Sequence, residues 1–237
     1  MLKKLPGKHG YSRNGFTLIE LVAVIVLLGI LSASATAKFV SLQSDARAAI
    51  LKNMQGNIRS ANTMVFAKAM INGGNTAYSE KNSADKDWHD DCRSNNCVNV
   101  GDVWVYLKYA YIDRNSVAFI VDADISGIKT KNVTHGVTKK TVKVPDRTSA
   151  TGEANYACNK DVNAVCKDHD FCQCRSQNEK INGVSGRDTQ YIIPKGFKYY
   201  QSAETNPKNR CYFKYSSAEY LNNKVYPPSY VLETQGC

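Results

Sequence analysis

Long apolar segments are scarce in this sequence of 237 residues, since only residues 16–37 are long and apolar enough to cross a membrane. A multi-span membrane protein is therefore excluded. Cysteine is absent before Cys92. Catalytic and cofactor patterns are missing as well: we find no phosphate-binding glycine loop and no Ser/His/Asp or Cys/His arrangement. The sequence thus predicts neither an enzyme nor a bound cofactor.

The overall composition excludes further classes of protein. With 43% hydrophobic and 22% charged residues, the chain is neither a disordered nor a collagen-like protein. Lysine and arginine (31) outnumber aspartate and glutamate (21), which gives a formal net charge of +10. Part of this excess lies in the first 15 residues, which contain no acid. A dedicated nucleic-acid domain would concentrate the charge in its folded part, so the excess does not predict one.

The apolar segment, FTLIELVAVIVLLGILSASATA, follows a basic flank, which predicts a cytoplasmic N-terminus and a translocated C-terminal part. It fits two hypotheses. In the first, it is a secretory signal that is cut in the small residues 33–37. In the second, the cut precedes the apolar run and the helix stays on the mature protein. Glu20 favours the second, because an unpaired carboxylate is costly in a membrane and a disposable signal gains nothing from it.

The helical pattern continues beyond the apolar segment. Apolar residues recur there at spacings of three and four, which predicts an amphipathic helix that extends to about Ile71 and ends before Gly73-Gly74. The members of this predicted stripe are Phe39, Leu42, Ala46, Ala49/Ile50, Met54, Ile58, Ala61, Val65 and Ala69.

Residues 13–20, RNGFTLIE, resemble the processing motif of type IV prepilins. The resemblance implies that a prepilin peptidase cleaves between Gly15 and Phe16 and N-methylates Phe16. It also implies that Glu20 pairs with the Phe16 amine, of its own chain or of a neighbour, during filament assembly. A buried polar pair of this kind can select the register of packed helices.

Residues 38–47 and 61–69 are similar to the mannose-sensitive haemagglutinin branch of type IVa pilins. That branch commonly has proline before its Lys-Phe pair, whereas Ala37 stands there in this chain, so we do not assume a kink. Family pilins melt near a mid-helix glycine on assembly, which suggests flexibility at Gly29. The alternative, that Gly29 only permits close helix packing, stays open.

The resemblance implies four parts of the chain: a leader (1–15), a membrane and filament-core half of the helix (16–37), an amphipathic half (38–71) and a globular head (72–237). The precursor would lie in the bacterial inner membrane with its head in the periplasm, and the assembled subunit in an extracellular filament. The implied partners are other copies of this chain, the prepilin peptidase, the inner-membrane assembly platform and, for the head, a surface receptor or DNA.

Residues 72–237 carry strand signals, chiefly at 104–107, 117–121 and 191–193, and a hairpin over 128–144 that turns near His135-Gly136. The sequence therefore predicts an α+β fold in which the long N-terminal helix packs against an antiparallel β-sheet head with disulfide-bonded loops.

All eight cysteines lie in the head, which favours a disulfide framework in an oxidising compartment. Cys92 and Cys97 enclose a turn-like tetrapeptide, which predicts that they pair. Cys211 and Cys237 fall where a pilin's C-terminal disulfide loop would lie. Cys158 and Cys166 are expected to pair with Cys172 and Cys174 in an order that the sequence leaves open. The competing hypothesis is a zinc site made of these last four cysteines and His169.

Two further clusters are weaker signals. The lysines of the hairpin could bind DNA or another anion, although a solvated strand face is the simpler explanation. These residues are Lys129, Lys131, Lys139, Lys140 and Lys143. Asp122 and Asp124 begin like a calcium loop, but Val133 stands where the bidentate glutamate belongs, so a solvated turn is the favoured interpretation and no other metal site is predicted.

The function that these observations predict is a structural subunit of a type IV pilus, used for adhesion, surface motility or both. The alternatives are a pseudopilin of a type II secretion system and a minor or tip pilin that binds DNA or a surface ligand.

The processing signal yields a direct prediction. We expect the mature chain to begin at N-methyl-Phe16 and to retain the apolar helix, and Gly15→Val to block cleavage because a branched side chain replaces glycine at the cut. Mass spectrometry of the N-terminal peptide measures both. Gly29→Val, a matched change inside the helix, should be cleaved normally. A mature chain that begins at Thr36 or Lys38 would instead establish the secretory-signal hypothesis.

Overall fold

The structure is a computed structural model. It describes residues 15, 17–71, 92, 97–121, 123–126, 130–135, 138–145, 165–181, 183–198 and 206–237. The chain divides into two compact units, Met1–Gln43 and Ser44–Cys237.

Helix α1 comprises Leu18–Ile71, 54 residues, and runs without interruption through Gly29 and residue 37. It begins two residues later than the sequence suggested and ends at the predicted residue. In the first unit its large apolar side chains, from Leu18 to Leu31, are all exposed. Leucine, isoleucine and valine on every side of a helix are typical of a segment whose surroundings are lipid or other protein.

In the second unit α1 buries one stripe against the head, and its members recur at spacings of three and four. They are Leu51, Met54, Ile58, Ala61, Val65 and Ala69. The predicted stripe is thus confirmed from Met54 onwards, but its first half is wrong. Phe39 and Leu42 are 67% and 61% exposed, and Ala46, Ala49 and Ile50 are exposed as well.

The reason for this error is that three- and four-residue spacing identifies a face of a helix but not what covers that face. Phe39 and Leu42 belong to the first unit, and the head-facing side begins with the half-buried Arg47 and Ala48 and the buried Leu51. The guanidinium of Arg47 donates a hydrogen bond to the Cys237 carbonyl oxygen (3.3 Å) and lies over the ring of Phe197 (5.5 Å to its centroid).

Eleven strands are described in the head, all of them paired antiparallel. They are β1 (Cys97–Val100), β2 (Val103–Lys108), β3 (Tyr111–Ile112), β4 (Thr130–Thr134), β5 (Thr141–Pro145), β6 (Phe171–Ile181), β7 (Val184–Pro194), β8 (Tyr212–Ser216), β9 (Glu219–Leu221), β10 (Lys224–Tyr226) and β11 (Ser229–Glu233). The largest sheet has the order β11-β8-β7-β6, and smaller sheets contain β1-β2-β3, β4-β5 and β9-β10. The predicted α+β class is confirmed, as are the strands at 104–107 and 191–193 and the hairpin, whose β4 and β5 flank His135.

The strand predicted at 117–121 is wrong. Arg114–Phe119 is a 3-10 helix, which Asp113 caps by accepting the Asn115 backbone N–H (3.0 Å). Val117 and Ala118 are buried in the main core. A short apolar run is compatible with a strand or with a helix. The cap at Asp113 and the burial of Val117 and Ala118 stabilise the helical conformation here.

The four-stranded sheet has a different core on each face. Ile192, Phe213 and Tyr215 join the cluster that contains the buried stripe of α1. On the opposite face, Tyr191 and Tyr212 pack with the cysteines of β6. Because neighbours along a strand point to opposite faces, β7 and β8 contribute to both cores.

Disulfides connect Cys92 to Cys97, Cys166 to Cys172 and Cys211 to Cys237. Cys174 is disulfide-bonded as well, and Cys158 lies outside the described residues. The Cys166–Cys172 disulfide contradicts a zinc site that needs both sulfurs as thiolates. The pairing order that the sequence left open was decided by the tertiary structure, since β6 places Cys172 directly beside Cys166.

The residue before Cys237 leads to a stability prediction. Gly236 donates its backbone N–H to the Arg210 carbonyl (2.8 Å), and a Cβ at this position would lie 2.5 Å from the Arg210 nitrogen. We expect Gly236→Ala to lower the free energy of unfolding of the full chain in detergent by about 1–3 kcal/mol, because main-chain atoms must shift. Denaturant titration measures the change.

Gly56→Ala is the matched control. Gly56 is an exposed helical residue with nothing within 4 Å of an added Cβ, so alanine should raise the free energy of unfolding by about 0.5–1 kcal/mol. Equal effects of the two substitutions would contradict the close packing at Gly236.

Candidate processing and assembly site

The predicted cleavage site lies where the chain enters α1. Gly15 is exposed, and none of the described residues lies within 4 Å of the position that a Cβ would take there. Phe16 lies outside the described residues. The helix that follows starts at Leu18.

Thr17 and Glu20 close the first turn of α1 with reciprocal hydrogen bonds. The backbone N–H of Thr17 donates to Glu20 Oε2 (2.9 Å), and the Glu20 N–H donates to Thr17 Oγ1 (3.4 Å). The Thr17 hydroxyl donates to the same carboxylate oxygen (2.9 Å). This arrangement is a capping box, which satisfies two backbone donors that a helix start leaves open.

Sequence reasoning assigned Glu20 to assembly but missed Thr17. The signal was present, because threonine followed three residues later by glutamate, just before an apolar run, is the capping-box pattern. Glu20 therefore has a structural role at the helix start in addition to any role between subunits.

The few polar side chains inside the apolar half of α1 bond to their own helix. The hydroxyls of Ser32, Ser34 and Thr36 donate to the carbonyls of Leu28, Leu31 and Ser32, at distances of 2.7, 2.9 and 2.8 Å. Polar groups satisfied within the helix lower the cost of placing it in lipid. Among the described residues, α1 is long and apolar enough to cross a membrane, and its most apolar stretch is not buried within the chain.

Gly29 lies in this half with nothing within 4 Å of an added Cβ. The open space is compatible with the close approach of another helix, and α1 is continuous at Gly29. Both hypotheses for Gly29 therefore stay predictions.

The structure separates the hairpin lysines. Lys143 lies opposite Asn132 and is exposed, whereas Lys131 lies opposite the buried Val144, on the other face of β4-β5. Lys139 and Lys140 are exposed in the turn. Lys129 is outside the described residues. The described lysines thus do not share one face of the hairpin.

The turn between β4 and β5 is organised by His135. This side chain is buried, packs at a tilt against Trp104 (ring centroids 4.5 Å apart, interplanar angle 56°) and accepts the Thr138 backbone N–H at Nδ1 (3.1 Å). Its contacts are those of a structural core residue.

Asp124 contacts a histidine. Its Oδ1 lies 2.9 Å from His169 Nδ1, and its Oδ2 accepts the Asp170 backbone N–H (3.3 Å). The hydrogen bond from His169 is the main cause that lowers the pKa of the Asp124 carboxyl. Asp122 lies outside the described residues, and no group of three or more His, Cys, Asp or Glu side chains in the described part of the chain is arranged to hold a metal.

Comparison with known proteins adds one finding for the N-terminus. Residues 11–36 match the family model of the prokaryotic N-terminal methylation motif, which is the prepilin signal of type IV pilins and pseudopilins. No curated protein and no solved structure matches the chain. The motif supports a pilin-like or pseudopilin-like protein whose precursor is anchored in a membrane, and it includes Gly15, Phe16 and Glu20.

The capping box can be tested in the unprocessed chain. We expect Thr17→Val to accelerate hydrogen exchange of the first-turn amides about fivefold, because loss of an N-cap costs about 1 kcal/mol. Thr17→Ser should preserve the exchange rate, since its hydroxyl can make the same bonds. Thr36→Val is the matched control, because the Thr36 hydroxyl bonds to a carbonyl inside the helix. First-turn exchange that is unchanged in Thr17→Val would contradict the cap.

Proposed function

We propose that this protein is a pilin, the structural subunit of an extracellular type IV pilus that polymerises through its N-terminal helix. Three features that occur together at the start of α1 support the proposal. They are the methylation motif, the exposed Gly15 and the apolar half of the helix, whose large side chains are all exposed. Such a helix can reside in the inner membrane with its apolar surface in contact with lipid. In the filament the same surface would contact the helices of other copies.

The chemistry of assembly centres on Glu20. Cleavage before Phe16 by a prepilin peptidase creates an amine one helical turn from this carboxylate. Thr17 holds the carboxylate at the helix start through Oε2, so its position is set before a partner amine arrives. In a bundle of apolar helices an ion pair is satisfied at one axial offset only, and it therefore selects register as a buried polar residue does in a coiled coil.

Adhesion, surface motility or both are the activities that we assign to the filament. The partners are other copies of the chain, the prepilin peptidase, the inner-membrane assembly platform and a surface receptor or DNA. The precursor's head lies in the periplasm, where the disulfides form. A type II secretion pseudopilin has the same N-terminal chemistry and is the second candidate, and a minor or tip pilin is the third.

The abundance of the protein in isolated filaments separates these candidates. A major pilin dominates the protein of sheared surface filaments, and a tip subunit is present in trace amounts. A pseudopilin is missing from them, and its deletion stops the export of folded proteins. Mass spectrometry of sheared filaments together with an export assay of the deletion strain measures all three outcomes.

Removing the Glu20 carboxylate tests the assembly chemistry. Glu20→Val should ease membrane insertion of the subunit by roughly 2–3 kcal/mol while it removes the ion pair. We therefore expect a subunit that is cleaved and membrane-resident but forms few or no filaments. Glu20→Gln should be intermediate, because an amide still accepts hydrogen bonds but has no charge. Electron microscopy counts filaments, and an immunoblot of the membrane measures subunit.

Leu21→Val is the matched control, since it places the same side chain next to Glu20 without touching the carboxylate. It should assemble normally. Wild-type filament numbers in Glu20→Val would show that the carboxylate does not determine assembly.

A further inference from the structure

Arg47 is the first residue of α1 that bonds to another element among the described residues. Asp45 and Ala46, just before it, are exposed, whereas Arg47 is half-buried. Its guanidinium donates a hydrogen bond to the Cys237 carbonyl oxygen (3.3 Å) and lies 5.5 Å from the centre of the Phe197 ring. Arg47 is therefore the residue at which attachment of the helix within the second compact unit begins.

The position of the Cys237 carbonyl is set by three constraints. Its sulfur is bonded to Cys211, which is fully buried in the main core. Its backbone N–H donates to the Thr234 carbonyl (3.1 Å), and the neighbouring Gly236 N–H donates to the Arg210 carbonyl (2.8 Å). Together these contacts hold the carbonyl in front of the guanidinium.

The disulfide is the strongest of these constraints. The bond to Thr234 lies within the short segment that follows β11, so it does not attach this segment to the rest of the head. Without the disulfide, the bond between Gly236 and Arg210 would be the one printed backbone bond that does so among the described residues. Segments with so few contacts open locally at little cost in free energy. The acceptor of Arg47 thus depends on the link between Cys211 and Cys237.

The helical turn at Arg47 gains from this contact. In an α-helix the Leu51 N–H donates to the Arg47 carbonyl, and Leu51 is the first fully buried member of the apolar stripe. A helix without tertiary packing is marginally stable in water, and packing of α1 against the head starts at this turn. Opening the turn would pull the guanidinium away from Cys237, so their hydrogen bond opposes opening.

We propose that Arg47 and the Cys211–Cys237 disulfide form a redox-dependent clasp that stabilises the first attached turn of α1, residues 47–51. Closing the clasp joins two thiols in one disulfide, and the two electrons and two protons that they lose pass to a disulfide oxidant of the oxidising compartment. The turn is then fastened in the oxidised subunit and loosened in the reduced one. The inference concerns the second compact unit alone and is independent of the kind of filament.

Hydrogen exchange of the full chain in detergent tests the clasp. Arg47→Met keeps an unbranched apolar stem and removes the donor. We expect the amides of residues 48–51 to exchange about tenfold faster, because a hydrogen bond from a charged donor contributes a factor of this order. The amides of residues 58–65, further along α1, should keep their rates. Mass spectrometry with fragmentation to single residues measures both stretches.

The same substitution is then made with the loop open. Cys211→Ala with Cys237→Ala removes the disulfide without leaving a buried thiol. In this background Arg47→Met should have no further effect on residues 48–51, because the acceptor is already displaced and both changes remove one contact. Arg59→Met is the matched control, since Arg59 is exposed on the same helix and lies over Tyr230. Its effect should be equal with the loop closed and open.

Two results would overturn the proposal. One is unchanged exchange of residues 48–51 in Arg47→Met with the loop closed. The other is an equal acceleration by Arg47→Met with the loop closed and open, because the guanidinium would then act without the disulfide. If the double alanine variant does not fold, Gly236→Ala, which displaces the main chain beside Cys237 while the disulfide stays in place, replaces it in the same comparison with the same two criteria.

Discussion

A helix satisfies its own backbone hydrogen bonds, and this allows α1 to serve two different environments with one uninterrupted backbone. Its first half exposes apolar side chains on every side, and the few hydroxyls there bond to the helix itself. Its second half buries a single stripe against the head. The proposed transfer from membrane to filament depends on this constraint, because the first half has to exchange lipid for protein without breaking a backbone bond.

Polar groups fix geometry at two places along the N-terminal helix and its cap, where apolar contact carries no direction. At the start, Thr17 and Glu20 cap the helix and hold a carboxylate in position. In the head, the buried amide of Asn62 accepts the Ile112 N–H and donates to the Tyr230 hydroxyl. In both places apolar side chains supply attraction, and a polar group specifies one geometry.

The head is stabilised by covalent links as well as by its cores. Cys211–Cys237 joins the last described residue to the residue before β8, and Cys166–Cys172 joins a loop to the start of β6. Cross-links that shorten loops restrict the unfolded chain, which suits a domain whose apolar residues are divided between two faces of one sheet. An oxidising compartment such as the periplasm permits these links.

The sequence alone determined the features that depend on local chemistry. Periodicity predicted the long helix and its end at Ile71, and the conjunction of a basic leader, Gly15-Phe16 and Glu20 predicted the processing signal, which the methylation-motif match supports. The capping box could have been predicted in the same way, because its two residues are three positions apart.

Only the tertiary structure decided what depends on residues far apart in the chain. It placed the start of the buried stripe at Leu51, because a helical period shows which residues share a face but not which side the head covers. It also showed that residues 117–119, predicted to lie in a strand, belong to a 3-10 helix, because core burial and the Asp113 cap outweighed the local β preference. The contacts of Asn62 could not be predicted from the sequence for the same physical reason. Its amide bonds to Ile112, Tyr215 and Tyr230, which lie 50, 153 and 168 residues away, so no local spacing indicates that they meet.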